Sequence, residues 1–430
     1  MVQPSAGPWY DVAALRARFP ALADGTAYFD GPGGTQTPDV VAQAISATLL
    51  APLSNRGRGN PAERNADEVV VGCRAALADL LGADPAGVVL GRSMTQLTMD
   101  LARTLARGWG PGDEVVVSRL DHDGNVRPWV IAAERAGATV RWAEVDPETA
   151  ELPVAAVEGV LTERTRLVAV TGASNLVGTI PDVAGIAERA HDAGALVYVD
   201  GVHRTPHTPV DVEELGADLF ACSPYKFLGP HCGVLAARPE LLERLHPDKL
   251  LPATDAVPER FELGTLPYEL MAGTTAAVDL IAGLVPEPTA ATPAPGPTPP
   301  RPASSFSRRG RILTSMAAVE AHEDALRVRL EAGLVRLPGV TVHSRAARRT
   351  PTLLLTFADR PAADVSDRLA GHRINAPSGS FYAYEPARAL GLGEPGGLRV
   401  GLAPYSDDGD VDRLLDALGA ILSEPAGTRP

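Results

Sequence analysis

Between residues 86 and 237, short apolar runs alternate with stretches of helical periodicity. The runs are GVVLG (87–91), EVVVS (114–118), TVRWAEV (139–145), RLVAVT (166–171), ALVYVD (195–200), DLFAC (218–222) and GVLAA (233–237). Amphipathic segments separate them, among them 96–107, 126–136 and 183–193. Strands that alternate with helices need crossovers, which implies a mainly parallel α/β sheet with helices on both faces. The near-continuous apolar character of the runs fits strands buried on both sides. In such a sheet, ligands bind beyond the carboxyl ends of the strands, so the residues after each run carry the functional reading.

After 87–91 come Arg92, Ser93, Met94 and Thr95, opening a helix; its free N–H groups and dipole suit a phosphate, or Ser93 is simply an N-cap. After 114–118 comes Asp121-His122-Asp123-Gly124-Asn125, where His122 is placed to stack on an aromatic ring or to lie in a plain loop. After 166–171 comes Gly172-Ala173-Ser174-Asn175. The run 195–200 itself ends on Asp200, and a carboxylate at the end of a buried strand is costly unless paired. A protonated pyridine nitrogen is such a partner; capping the next helix is the plainer role. After 218–222 comes Ser223-Pro224-Tyr225-Lys226-Phe227, where partial desolvation would lower the lysine pKa and free its amine to attack an aldehyde. Together these strand ends supply a phosphate cradle, a ring stacker, an amide, a carboxylate and an amine. That set meets the needs of pyridoxal 5′-phosphate (PLP).

The same residues carry a family resemblance. In VDGVHRTPH (199–207), CSPYKFLGP (222–230), ASNLVGTIPD (173–182), LDHDGNVRPW (120–129) and RVGLAPYSDDGDVD (399–412), the chain resembles the class V aminotransferases, fold-type I PLP enzymes, in their cysteine-desulfurase-like branch. The resemblance implies that Lys226 is the Schiff-base lysine, that Asp200 pairs with the pyridine nitrogen and that His122 stacks on the ring. It sets Asn175 and His203 near the ring's 3-oxygen. Thr95, the Met94 backbone and Ser223 hold the phosphate, and Arg399 binds the substrate carboxylate, a task suited to a planar guanidinium. Gly264 and Thr265 resemble a segment that reaches the neighbouring subunit's phosphate, which implies a homodimer. The implied organisation is an N-terminal segment (1–27) packing with the small domain, a large PLP-binding domain (28–285), a proline-rich linker (286–305) and a small C-terminal α+β domain (306–430). Eight prolines between 286 and 302 rule out regular helix there.

Three departures bear on the chemistry. His203 stands where the desulfurases usually carry Gln, and Tyr225 where they usually carry His. The C-terminal loop that holds their nucleophilic cysteine has none here: residues 233–430 contain no cysteine. Action at Cα or Cβ of an amino acid or amine by transamination, epimerisation or C–S lyase chemistry stays open, as does a non-catalytic PLP-fold binding module. The net charge of −14 argues against nucleic acid. Cys73, Cys222 and Cys232 form neither a disulfide framework nor a zinc pattern, and the N-terminus lacks a signal-peptide pattern, so a cytoplasmic protein without a membrane span is expected. His203 and His207 have a zinc-like spacing, but Pro206 breaks the helix that would align them.

Overall fold

The computed structural model describes residues 10–286 and 307–424. Most of the proline-rich stretch read as a linker lies outside the described residues. The central sheet has seven strands: β1 (Val88–Gly91), β2 (Glu114–Ser118), β3 (Thr139–Ala143), β4 (Thr165–Thr171), β5 (Leu196–Asp200), β6 (Leu219–Cys222) and β7 (Gly233–Ala237). Their order is β1-β7-β6-β5-β4-β2-β3. Contacts among β3, β2, β4, β5 and β6 are parallel, while β7 runs antiparallel to both β6 and β1. All the runs read from sequence form strands of this one sheet.

Burial on both faces explains the apolar composition. Val168, Val170, Val197 and Val199 pack into one core, whereas Leu167, Ala169 and Tyr198 pack into another across the sheet. Each such buried aliphatic side chain contributes roughly 1.5–3 kcal/mol. The run 139–145 differs from expectation: β3 is an edge strand, with Thr139 and Arg141 exposed. Its strand character comes from pairing with β2 rather than from two-sided burial.

The helices that matter below are α1 (Asp39–Leu50), α2 (Pro61–Leu81), α3 (Met94–Leu105), α4 (Arg127–Ala136), α5 (Val183–Asp192), α6 (Tyr268–Ala282), α7 (Arg308–Leu334) and α8 (Asp408–Ser423). A second, antiparallel sheet is built from β8 (Val340–Val342), β9 (Thr352–Phe357), β10 (Ser378–Gly379) and β11 (Gly397–Gly401), in the order β10-β11-β9-β8. Its core holds Leu326 and Leu330 of α7, Leu414 and Leu418 of α8, and also Ala27 and Phe29. The N-terminal residues are tied to this unit. Ala27–Tyr28 pairs with Ile374–Asn375, the Tyr10 hydroxyl donates to the Pro404 carbonyl at 2.7 Å, and Arg16 bridges to Asp410 at 2.6 Å. No helix among the described residues is long and apolar enough to cross a membrane.

Candidate active site

The carboxyl ends of β4, β5 and β6 and the loops after β1 and β2 converge on a cavity of about 340 Å³. Ser93 N-caps α3, its hydroxyl accepting from the Gln96 N–H at 3.1 Å, so Met94 and Thr95 sit in the first helical turn facing the cavity. β7 begins close behind this turn. A Cβ on Gly233 would lie 2.2 Å from the Ser93 carbonyl carbon, so only glycine lets the two backbones approach.

His122 comes from the loop after β2. Its Nδ1 accepts from the Gly124 N–H at 2.9 Å, and its ring lies 5.7 Å from that of Tyr382. Burial, reinforced by the Lys226 charge, lowers its pKa to about 4, so the ring is neutral at physiological pH. Asp121 holds this loop from below. It is fully buried, accepts from the Ser118 hydroxyl, and takes the Asn125 side-chain N–H at 2.7 Å. Asn125 in turn accepts from the Trp129 indole at 3.0 Å. Burial raises the Asp121 pKa to about 8, so this carboxyl keeps its proton at pH 7.

Asp200 ends β5 beneath the cavity. Its carboxylate accepts from the Val202 N–H at 3.0 Å; burial raises its pKa to about 6, and the Lys226 charge opposes the rise. The Lys226 amine donates to the Pro32 carbonyl at 2.5 Å and sits 4.6 Å from the Tyr225 ring centre. Burial lowers its pKa to about 7; Arg399 pushes the same way, and Asp200 and Asp30 oppose. A good share of this amine is therefore neutral and nucleophilic near neutral pH.

Arg399, on β11, reaches the cavity from the other sheet. It donates to the Asn175 carbonyl at 3.1 Å, and its guanidinium lies 3.7 Å from the Phe381 ring centre. Asn175 donates to the Phe381 carbonyl at 3.0 Å. His203 places Nε2 within 3.0 and 2.9 Å of the Thr350 and Thr352 hydroxyls. Three buried polar atoms here have no partner: Asn175 Oδ1, His203 Nδ1 and Arg399 Nε. Buried polar atoms are rarely left unsatisfied, so the set fits a polar ligand that completes them.

Met94, Thr95, His122, Asn175, Asp200, His203, Ser223, Lys226 and Arg399 thus line one cavity. Gly264 and Thr265 do not; both are exposed, outside it. Strand-end reasoning missed three groups. Phe381 and Tyr382 close the mouth just after β10; the family-like segment 375–381 reached Phe381 without giving it a role, and Tyr382 lies beyond it. Asp121 stood beside His122 in the sequence, and the signal available was its position directly after a fully buried strand. None of Cys73, Cys222 or Cys232 lines the cavity, and all three are buried.

The fold and this site define a fold-type I enzyme of the PLP class. The aminotransferase class-V family profile matches residues 27–285 and 311–414, and the chain belongs to that family. It is 34% identical over 414 residues to "Uncharacterized protein MT3887" of Mycobacterium tuberculosis, covering 96% of this chain and 99% of that one. It is 32% identical over 429 residues to the cysteine desulfurase CsdA of Escherichia coli, covering 96% and 98%. The crystal structure of that desulfurase superposes with a TM-score of 0.81 at 27% identity, covering 96% of this chain and 98% of that one. The protein is accordingly a PLP-dependent enzyme acting on an amino acid substrate.

Proposed function

We propose that this enzyme abstracts the Cα proton of an amino acid with the Lys226 amine and completes its reaction without an enzyme thiol. The observation that carries this reading is the Lys226 amine itself: buried, with no carboxylate within salt-bridge distance among the described residues, and sharing one cavity with Asp200 and Arg399. PLP, when bound, supplies an aldehyde for amines and a ring that accepts the electron pair released at Cα.

Lys226 would hold the cofactor, and its free amine would take the proton from Cα. Asp200 would hold the ring nitrogen's proton by charge at the floor of the site. His122, neutral, would pack over the ring, and Asn175 and His203 would lie near its oxygen substituent, to which an N–H at His203 Nδ1 would donate. Thr95, Ser223 and the Met94 N–H would hold the phosphate at the start of α3, where the helix dipole favours an anion. Arg399 orients the substrate carboxylate, and Phe381 with Tyr382 keeps water from the reacting carbon.

A thiol-independent route is supported by the burial of all three cysteines outside the cavity. Burial raises the pKa of each, holding them as inert thiols. Assembly as a homodimer, with Gly264 and Thr265 facing the partner's phosphate site, is supported by their exposed position. The large and small domains divide at the proline-rich stretch, and three unpaired cysteines suit a cytoplasmic setting. Borohydride reduction of the yellow holoenzyme followed by peptide mapping tests the assignment. The adduct is expected on Lys226, and an adduct on Lys249 overturns it.

A further inference from the structure

A second cavity lies on the far side of His203 from the active site. It has a volume of about 450 Å³ and is walled by α7, the chain at 347–351 and the segment around His207 and Thr208. Thr350 belongs to its wall and also meets His203, which faces the first cavity. The rings of His203 and His207 stand edge to face at 4.9 Å, and His207 Nδ1 lies 2.8 Å from Glu323 Oε2. Two side chains in contact, His203 and Thr350, thus stand between the two cavities.

The second cavity carries complementary unmet polar capacity. Glu323 is 1% exposed, yet its Oε1 has no partner, and neither has the Thr208 hydroxyl, on a residue 4% exposed. Both residues line the cavity. A carboxylate oxygen left bare at that depth calls for a donor, best a cationic one. The opposite requirement stands nearby. The Arg348 guanidinium makes no hydrogen bond among the described residues. Its charge repels that of Arg204 and attracts Glu320, so two guanidiniums share one carboxylate. Arg204 Nε is itself unpartnered. The other charges are matched: Arg327 pairs with Asp324 and Glu331, and Arg349 with Glu331 at 2.6 Å. What remains is an acceptor at the Glu323 end and a surplus of donor at the Arg348 end.

We propose that this cavity is a second binding site, distinct from the catalytic one, for a small zwitterion bearing an ammonium and a carboxylate. The ammonium donates to Glu323 Oε1, the one contact a tertiary ammonium also makes, and a primary ammonium reaches the Thr208 hydroxyl as well; the carboxylate accepts from Arg348. An amino acid has this shape and charge, so the ligand class is that of small amino acids and their N-alkylated derivatives.

The probe is N,N-dimethylglycine, a zwitterion whose tertiary amine cannot condense with an aldehyde. Titration calorimetry on the holoenzyme is expected to give saturable binding. Arg348→Gln and Glu323→Gln should each weaken it at least tenfold, whereas Arg399→Gln should leave it within twofold. Dimethylethylamine, without the carboxylate, should bind at least tenfold more weakly. Arg348 is exposed, so its variant keeps the test valid if Glu323→Gln does not fold. No saturable heat, binding that survives Arg348→Gln, or binding lost only in Arg399→Gln overturns the proposal.

Discussion

Lys226 and Arg399 face the same cavity as like charges, and burial disfavours the charged form of both. The Arg399 pKa falls to about 9, with Asp30 the main opposing influence, and that of Lys226 to about 7. A guanidinium at 9 is still charged at pH 7, whereas the amine is not fully so. The site therefore separates a permanent cation for a carboxylate from a switchable base. In the protein stripped of cofactor, the rate of PLP attachment should rise with pH through about 7, where an ordinary lysine would respond near 10.4. Stopped-flow absorbance reads this; a midpoint above 9 refutes it. The stability sign follows from the same shift. The folded pKa lies below that of the unfolded chain, so between about 7 and 10.4 the unfolded chain binds more protons and this group's contribution to stability rises with pH. In the cofactor-free protein, Lys226→Met should flatten that rise, as denaturant titrations across the window would report.

Also at the residue scale, the three thiols separate reaction routes. The triple variant Cys73→Ser, Cys222→Ser, Cys232→Ser should keep its native turnover within about threefold. Each serine places a hydroxyl in the core, at about 1–3 kcal/mol where no partner exists. Each sulfur already has a threonine hydroxyl beside it, Thr275 for Cys73, Thr205 for Cys222 and Thr274 at 3.5 Å for Cys232, which softens all three changes. If cysteine is accepted, pyruvate, ammonia and sulfide are the expected products. Stoichiometric alanine with an enzyme persulfide, abolished by Cys232→Ser with PLP still bound, would contradict the thiol-independent route.

At the element scale, the segment from β10 to β11 is held in a costly conformation. Phe381 and Tyr382 are consecutive non-glycine residues at φ of 55° and 56°, a region costing roughly 1–2 kcal/mol per residue. Two contacts across the cavity mouth fix it: the Asp123 N–H to the Tyr382 carbonyl at 2.7 Å, and Asn175 to that of Phe381. The Phe381 ring covers the Arg399 guanidinium at 3.7 Å, and under the carboxylate-binding role proposed for Arg399 it would have to yield to the substrate. A cation–π contact of this kind is worth roughly 0.5–2 kcal/mol. Phe381→Ala should therefore lower KM for the amino acid by about 2- to 30-fold while kcat falls, since water then reaches the reacting carbon. An unchanged KM would mean that the ring does not compete with the carboxylate. This segment also marks where sequence reasoning stops. Most of the sheet was legible because its inner strands are buried on two faces, and most cavity-lining residues because they follow strand ends; Arg399, inside β11, came only from the family resemblance. Phe381 and Tyr382 follow no such rule; they reach the site through long-range packing. α1 and α6 were invisible for a related reason: they pack against each other, and α6 is apolar around much of its circumference, with no clean amphipathic stripe.

For the whole molecule, one chain completes most of a PLP site but leaves Gly264 and Thr265 outside its own cavity. Gly264 has φ of 78°, a turn that favours glycine, and Thr265 touches little beyond the Asn55 side chain, at 3.5 Å. Large apolar side chains are exposed at Leu49, Leu50 and Leu251, the last 97% exposed, and Leu263 adjoins Gly264. Single exposed leucines are ordinary, but Leu49 and Leu50 end α1, and the Asn55–Thr265 contact brings the chain just beyond α1 against the Gly264 turn. A second copy covering about 800 Å² per partner would bury such a patch and bring the Thr265 hydroxyl to the other chain's phosphate. Sedimentation of the holoenzyme should report a dimer at micromolar concentration. Leu50→Glu with Leu251→Glu should shift it toward monomer and release PLP in parallel, because a charge buried without a partner at an interface costs several kcal/mol. Thr265→Ala should weaken PLP retention without altering the sedimentation coefficient, since the hydroxyl would serve the phosphate and not the contact area. A monomer that turns over at the same rate as the wild type, with PLP held equally tightly, would show that each chain closes its phosphate site alone.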